Sequence, residues 1–181
     1  LLDLIPRISK VWRDQRQELE DAGDKVLDAL KSAARTPPEA GELSEAVLDE
    51  AYDTLFRIFD GEHGGFGDAP RFPTPHNLIF LLRYGNRTGR EPAYTMVEKT
   101  LHAMRRGGIF DQVGWGFHRY STDTEWFVPH FEKMLYDQAL LVLAYTEAYL
   151  ATGREEFART ARETIAYVLR DMADPGGGFY S

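Results

Sequence analysis

Apolar side chains return every three or four positions through most of this chain, the spacing of amphipathic helices rather than of strands. Between residues 4 and 30, Leu4, Ile8, Val11, Gln15, Leu19, Ala22, Val26 and Ala29 form one such stripe, with Pro6 in the first turn and a break expected at Gly23. "ARTPPEAGE", residues 34 to 42, interrupts the pattern, because adjacent prolines forbid a continuous helix. Beyond it, Ser44 is placed to cap a helix that turns Val47, Leu48, Ala51, Tyr52, Leu55, Phe56 and Phe59 inward. A second helix is predicted from Pro75-His76 to "NRTGRE", and a third from Pro92 with Met96, Val97, Thr100, Leu101 and Met104 inward. A fourth, from about Pro129 to Leu150, is almost uncharged after Asp137 and is expected to be buried on most sides. A fifth, from Glu155 to Met172, is amphipathic through Phe157, Ala161, Ile165, Val168 and Leu169. No stretch alternates convincingly, so an all-α chain is predicted.

The pattern repeats. "TGRE" occurs at 88 to 91 and again at 152 to 155, while Pro-His opens a predicted helix at 75-76 and at 129-130. Gly-Phe closes a loop at 65-66, 116-117 and 178-179, spacings of 51 and 62 residues. Helix pairs recurring at this length imply stacked hairpins, as an open solenoid or a closed α/α toroid. The alternation of half-exposed and nearly apolar helices favours inner and outer rings, with the Gly-aromatic loops gathered on one face.

Composition narrows the function classes. The chain has 181 residues, 43% apolar and 28% charged, an ordinary globular mixture. Its net charge of -8 repels nucleic acid and anionic lipid, so neither is expected as a partner. The absence of cysteine rules out disulfides and thiolate metal sites within the segment, and fits a cytoplasmic setting. No apolar run approaches the roughly 20 residues that span a bilayer. A start on Leu1 and a stop on "GGGFYS" suggest a fragment of something longer.

Candidate chemistry concentrates in "EWFVPHFEKMLYD", residues 125 to 137, at the expected mouth of the fourth helix. There His130, Lys133 and Asp137 would share one face, and Glu132 and Tyr136 another. The positive helix end would keep His130 neutral and Glu132 ionised, a pair suited to proton transfer. The same residues have a structural reading: His130 bonded to loop carbonyls, Glu132 capping free amides, and Lys133 with Asp137 as an ordinary helix pair. In "DQVGWGFHRYSTDTEW", Trp115, Tyr120 and Trp126 offer faces for stacking beneath a sugar ring, and His118 and Arg119 offer polar contacts to hydroxyls or a carboxylate. The alternative is that the aromatics pack the loops together, the preferred reading for Phe66, Phe117 and Phe179. Arg71 is a substrate-binding candidate whose competing role is a loop ion pair with Asp68, and His63 and His102 read as surface residues. No metal or other cofactor is expected, for want of a HExxH pattern or a third ligand. A glycosidase would need two carboxyl groups across a pocket, for which Asp111, Asp123, Glu125, Glu132 and Asp137 are eligible.

"GGFGDAPRFP", "GGIFDQVGWGFHRYSTDTEWFVPHFEKMLYDQALL" and "DPGGGFYS" together resemble the YyaL-like, spermatogenesis-associated family of thioredoxin-domain proteins. The resemblance covers nearly the whole chain. It implies a thioredoxin-like domain followed by an (α/α)6 toroid similar to N-acylglucosamine 2-epimerase and the six-hairpin glycosidases. On this basis residues 1–34 would close the preceding domain and lead out of it, 35–42 would be a linker, and 43–181 would be the first part of the toroid. The family's Cys-containing motif is absent, so no redox activity carries over. Five helices fall short of the twelve in six hairpins, so a missing C-terminal half, a swapped dimer or another chain is expected to cover the inner helices. The implied function is epimerase- or isomerase-like proton transfer on a sugar, with His130 as base or acid, Glu132 or His118 as counterpart, Lys133 and Arg119 orienting the substrate, and Trp115 and Trp126 stacking. The alternatives are a non-catalytic scaffold for a protein segment, or a glycosidase-like hydrolase.

Overall fold

A computed structural model describes residues 3–34 and 44–181; the linker expected at 35–42 lies outside them. Contacts divide the chain into two units, Leu1–Ser44 and Glu45–Ser181.

The first unit holds α1 (Leu4–Asp14) and α2 (Arg16–Ala34). Its break falls at Gln15 (φ -134°, ψ 36°) rather than at Gly23, which stays inside α2. A glycine costs a helix interior only about 1 kcal/mol. Local pairs brace the restart instead: Arg16 bonds Glu20 at 2.8 Å and lies 4.7 Å from the Trp12 ring, while Gln17 bonds Asp21 at 3.0 Å.

The second unit contains α3 (Ala46–Ile58), α4 (Pro75–Thr88), α5 (Glu91–Arg106), α6 (Leu135–Thr152) and α7 (Glu155–Tyr167), which runs into one π turn, Val168–Met172. Ser44 does not cap α3; the helix starts after Glu45, which makes no side-chain cap bond. The repeated "TGRE" has a geometric cause. Gly89 (φ 71°) and Gly153 (φ 69°) take the left-handed conformation that ends α4 and α6, each donating its N–H to the carbonyl four residues back at 2.8 Å. The helices then alternate. α4 and α6 pack side by side, with α5 against α4 and α7 against α6. Leu78, Leu81, Met96, Leu101, Met104, Leu141, Tyr145 and Phe157 fill the space between them. The inward face predicted for α5 is buried throughout. α6 departs from expectation: Leu141, Ala144, Tyr145 and Ala148 are buried, but Leu143 and Leu150 stand 50% and 75% exposed.

The largest correction concerns residues 120 to 134. Tyr120–Ser121 (β1) pairs antiparallel with Pro129–His130 (β2), in register Tyr120 opposite His130, so α6 begins at Leu135 and not at Pro129. Asp123 turns the chain between the strands, its carboxylate accepting the N–H groups of Glu125, Phe127 and Val128 at 3.0, 2.9 and 2.7 Å. Pro75-His76 opens a helix and Pro129-His130 does not, because the second pair is held in a ladder. Among the described residues, no helix is long and apolar enough to cross a membrane.

Candidate functional site

Each Gly-aromatic loop is built on an aspartate. Asp60, Asp111 and Asp174 donate their N–H to the carbonyls of Gly65, Gly116 and Gly178 at 3.0, 3.0 and 3.1 Å. Their carboxylates accept loop N–H groups: Glu62 and His63 in the first loop, Val113 and Gly114 in the second, Gly176 in the third. A cation locks the first two. Arg71 reaches Asp60 at 3.0 Å and the Gly64 carbonyl at 2.7 Å; Lys133 reaches Asp111 at 2.7 Å and the Trp115 carbonyl at 2.8 Å. Gly64 and Trp115 each lie four residues after their aspartate, so Arg71 and Lys133 are equivalent parts. Asp111 is held well below the usual carboxylate range: burial pushes its pKa up, but the Lys133 bond and the N–H groups of Gly114 and Val113 outweigh it.

This anatomy corrects two expected substrate contacts. Arg71 is 2% exposed, gives further hydrogen bonds to the carbonyls of Thr124 and Gly67, and pairs with Asp60 instead of Asp68. Lys133 is enclosed over the Tyr167 ring at 4.5 Å and shares no helix face with His130 or Asp137, since α6 starts after it. Trp126 is corrected likewise. It is fully buried, donates Nε1–H to the His63 carbonyl at 3.2 Å and lies beneath Arg71, so no ring face is free for a ligand. His63 and His102 are half-buried rather than superficial, the latter packed on Phe157 at 4.9 Å.

The expected base sits elsewhere as well. His130 and Glu132 lie outside α6, which starts at Leu135, so neither stands in the helix as supposed. His130 is an exposed strand residue stacked on Tyr120 at 4.7 Å, with Phe72 on Tyr120 at 4.9 Å. Glu132 is exposed and accepts from Arg119 at 2.9 Å. Trp115 is half-buried in the left-handed conformation (φ 66°), with Arg170 over its ring at 6.0 Å. Of the eligible carboxylates, Asp111 is committed to its loop and Asp123 to its turn.

A different group is brought together. Gln138, fully buried on α6, clamps the second loop by accepting the Phe117 N–H at 2.8 Å and donating to the Phe117 carbonyl at 2.7 Å. The clamp ties the segment after Phe117 to the first turn of α6, where the Arg119 charge acts on Asp137, while His118 faces Phe131, Lys133 and Asp111. Among the described residues, four buried side-chain polar atoms lack a hydrogen-bond partner, and three of them are here: His118 Nδ1, Arg119 Nε and Asp137 Oδ2. Asp137, in the first turn of α6, is 7% exposed, and burial pushes its pKa up to about 6 although the Arg119 guanidinium opposes the shift. Burial lowers the pKa of His118, and the Lys133 charge acts in the same direction; the Phe131 backbone and Asp111 oppose them. The imidazole is therefore neutral, and able to accept a proton, near neutral pH. The Phe131 ring meets it edge-on at 5.6 Å. Gln138 had no sequence signal. The loop aspartates did have one, since Asp60 and Asp111 recur at the same 51-residue spacing as Gly-Phe. Among the described residues, no three His, Asp or Glu side chains gather as metal ligands would.

No family model matches the chain. Spermatogenesis-associated protein 20 of Homo sapiens is 41% identical over 189 residues, covering 98% of this chain and 24% of the relative. Its Rattus norvegicus counterpart is 40% identical over 192 residues, covering 98% and 23%. Over nearly its whole length the chain is homologous to a segment of spermatogenesis-associated protein 20. It spans about a quarter of the length of these curated relatives. Two solved structures supply the architecture. Cellobiose 2-epimerase from Bacillus thermoamylovorans B4167 gives a TM-score of 0.65 at 16% identity, covering 75% of this chain and 40% of that one. The cellobiose 2-epimerase of Spirochaeta thermophila DSM 6192 gives 0.61 at 19%, covering 76% and 39%. At these identities the likeness is one of fold, and the second unit has the hairpins of an epimerase-type α/α toroid.

Proposed function

We propose that this chain forms part of a sugar-binding ring in which His118 and Asp137 move protons beside a sugar carbonyl, as an epimerase or isomerase requires. One observation carries the reading: the unpartnered His118 Nδ1, Arg119 Nε and Asp137 Oδ2 flank the Gln138 clamp. An orphaned buried polar atom costs about 1–3 kcal/mol, so three in one place call for a ligand that supplies donors and acceptors together. A polyhydroxylated molecule has that chemistry. In the proposed step neutral His118 takes the carbon-bound proton next to the carbonyl, and the released electron pair forms the enediol double bond. Asp137, whose carboxyl holds its proton up to about pH 6, gives that proton to the carbonyl oxygen. The His118 imidazolium then returns its proton, to the opposite face of the carbon once the intermediate has turned that face towards it, giving the epimer, or to the neighbouring carbon, giving the isomer, while the Asp137 carboxylate takes the hydroxyl proton that restores the carbonyl. Arg119 orients the substrate, Phe131 swings aside from His118, and the Tyr120–His130 stack stands at the rim. The likeness to sugar epimerases supports this reading at the level of fold.

The test is exchange of solvent deuterium into carbon-bound positions of aldoses and ketoses by the full-length protein. Exchange that falls at least a hundredfold in His118→Ala supports the proposal; no exchange into any sugar removes it. A second reading, a non-catalytic scaffold, is favoured by Val113, Phe127 and Phe131, which stand 93%, 74% and 80% exposed. Saturable capture of an extended polypeptide, lost in Phe127→Ser/Phe131→Ser, together with silence towards sugars would favour it.

A further inference from the structure

The flank of the helical layers carries a cavity apart from the group around His118. Between the C-terminal turns of α5 and the first two turns of α7 lies a cleft of about 440 Å3. Leu101, Tyr145 and Phe157, all buried, make a dry floor that strengthens any charge interaction above it. Three arginines, Arg105, Arg106 and Arg159, line it against a single glutamate, Glu156, on a chain whose net charge is -8.

Two of those arginines are uncommitted. Arg105 is fixed by Glu163 at 2.9 Å and Gln112 at 2.6 Å, with its guanidinium 4.0 Å from the Phe110 ring centre. Arg106 and Arg159 make no ion pair among the described residues. The negative end of α5 accounts for Arg106. It does not account for Arg159, which lies in the second turn of α7, away from the negative end of that helix. The carboxylate four residues before it, Glu155, bonds Tyr149 at 3.0 Å and approaches Arg162 at 3.8 Å instead. Glu156, on the cleft wall, faces His102 at 3.2 Å.

We propose that this cleft binds a phosphate group, held between the Arg106 and Arg159 guanidiniums with Arg105 as a fixed positive wall. Glu163 offsets Arg105, so the unpaired Arg106 and Arg159 outweigh Glu156 by one positive charge, a surplus that favours an anion. Guanidinium forks match phosphate oxygens in pairs, which a point charge does not. The site is independent of the sugar chemistry proposed above. Gln112, which lines the cleft, also donates to the carbonyls of Arg105 and Gly107 at 2.9 and 3.4 Å. An occupied cleft therefore adjoins the loop that carries Asp111.

The test titrates the full chain calorimetrically with inorganic phosphate, and separately with a sugar phosphate, at constant ionic strength in chloride. Saturable one-site binding of either probe is expected, at least tenfold weaker in Arg106→Gln/Arg159→Gln. Both side chains lie on exposed helix surface, so the variant should unfold at the same temperature as the parent when no phosphate is present. Tighter binding of the sugar phosphate would identify an ester as the occupant, and equal binding the free ion. Absence of saturation at millimolar concentrations with both probes, or equal binding by the double variant, overturns the proposal.

Discussion

Asp137→Asn should stabilise the protein at neutral pH and leave it unchanged in acid. Burial lifts the Asp137 carboxyl from 3.8 to about 6, so the folded state holds a proton that the unfolded state has released between those values. A raised folded pKa gives stability that is fully present below about 4 and lost as pH rises through about 6. The shift corresponds to at most about 3 kcal/mol, at 1.4 kcal/mol per unit. Relaxation and water penetration around the charged carboxylate reduce that to about 1–2 kcal/mol. Asparagine copies the shape of the protonated acid and cannot ionise. The assay is urea unfolding of parent and variant from pH 4 to 8, reading the difference between them, so that groups common to both cancel. The curves should coincide near pH 4 and diverge by about 1–2 kcal/mol at pH 8, the variant being the more stable. Curves that stay parallel would mean that Asp137 ionises like a surface aspartate. The proton-donor role assigned to it would then fall with the stability argument.

Other consequences follow from the loops. Lys133→Met should cost about 2–3 kcal/mol in the unfolding free energy at pH 7, because it leaves Asp111 charged without its cation; a loss under 0.5 kcal/mol would show the lock to be ornamental. Gly116→Ala places a Cβ 2.5 Å from Tyr167 Cδ1 at φ 77°, and should cost about 2–3 kcal/mol. Adding Tyr167→Ala should recover the steric part and leave about 1 kcal/mol of backbone strain, so strict additivity of the two changes in a double-mutant cycle argues against the contact. Trp126→Phe should lower stability by about 1–3 kcal/mol through the lost bond to the His63 carbonyl, with sugar affinity unchanged by calorimetry. A selective loss of affinity would restore Trp126 as a ligand contact.

Helical periodicity, the TG helix ends and the Gly-Phe spacing were enough to read stacked hairpins, since each has a local cause. Gly89 and Gly153 end their helices alone, through their own backbone conformation. The start of α6 was not legible, because it depends on a pairing across the chain. Pro129-His130 reads as a helix opening until Tyr120–Ser121 is brought alongside, and one aspartate, Asp123, gathers three N–H groups to turn the chain there. That miss moved the expected chemistry to His130 and Glu132. His118, Arg119 and Asp137 were all visible as polar residues near the mouth, but what ties their two segments together is Gln138, an unremarkable letter in an apolar helix. Arg71, Lys133 and Trp126 were misread for a related reason. Cations and indoles among glycines resemble a ligand site, and only burial tells that the backbone itself is what they hold.

Asp60 and Asp111 are each satisfied by their own bend and by a cation just ahead of the following helix, but the two stitches differ in reach, since Arg71 also holds the Thr124 carbonyl beyond the second loop. Injury to the Arg71 stitch should free amides on both sides to exchange, and injury to the Lys133 stitch those of its own bend. What the repeated lock confers is graded order: one fastening serves two bays and the other serves one.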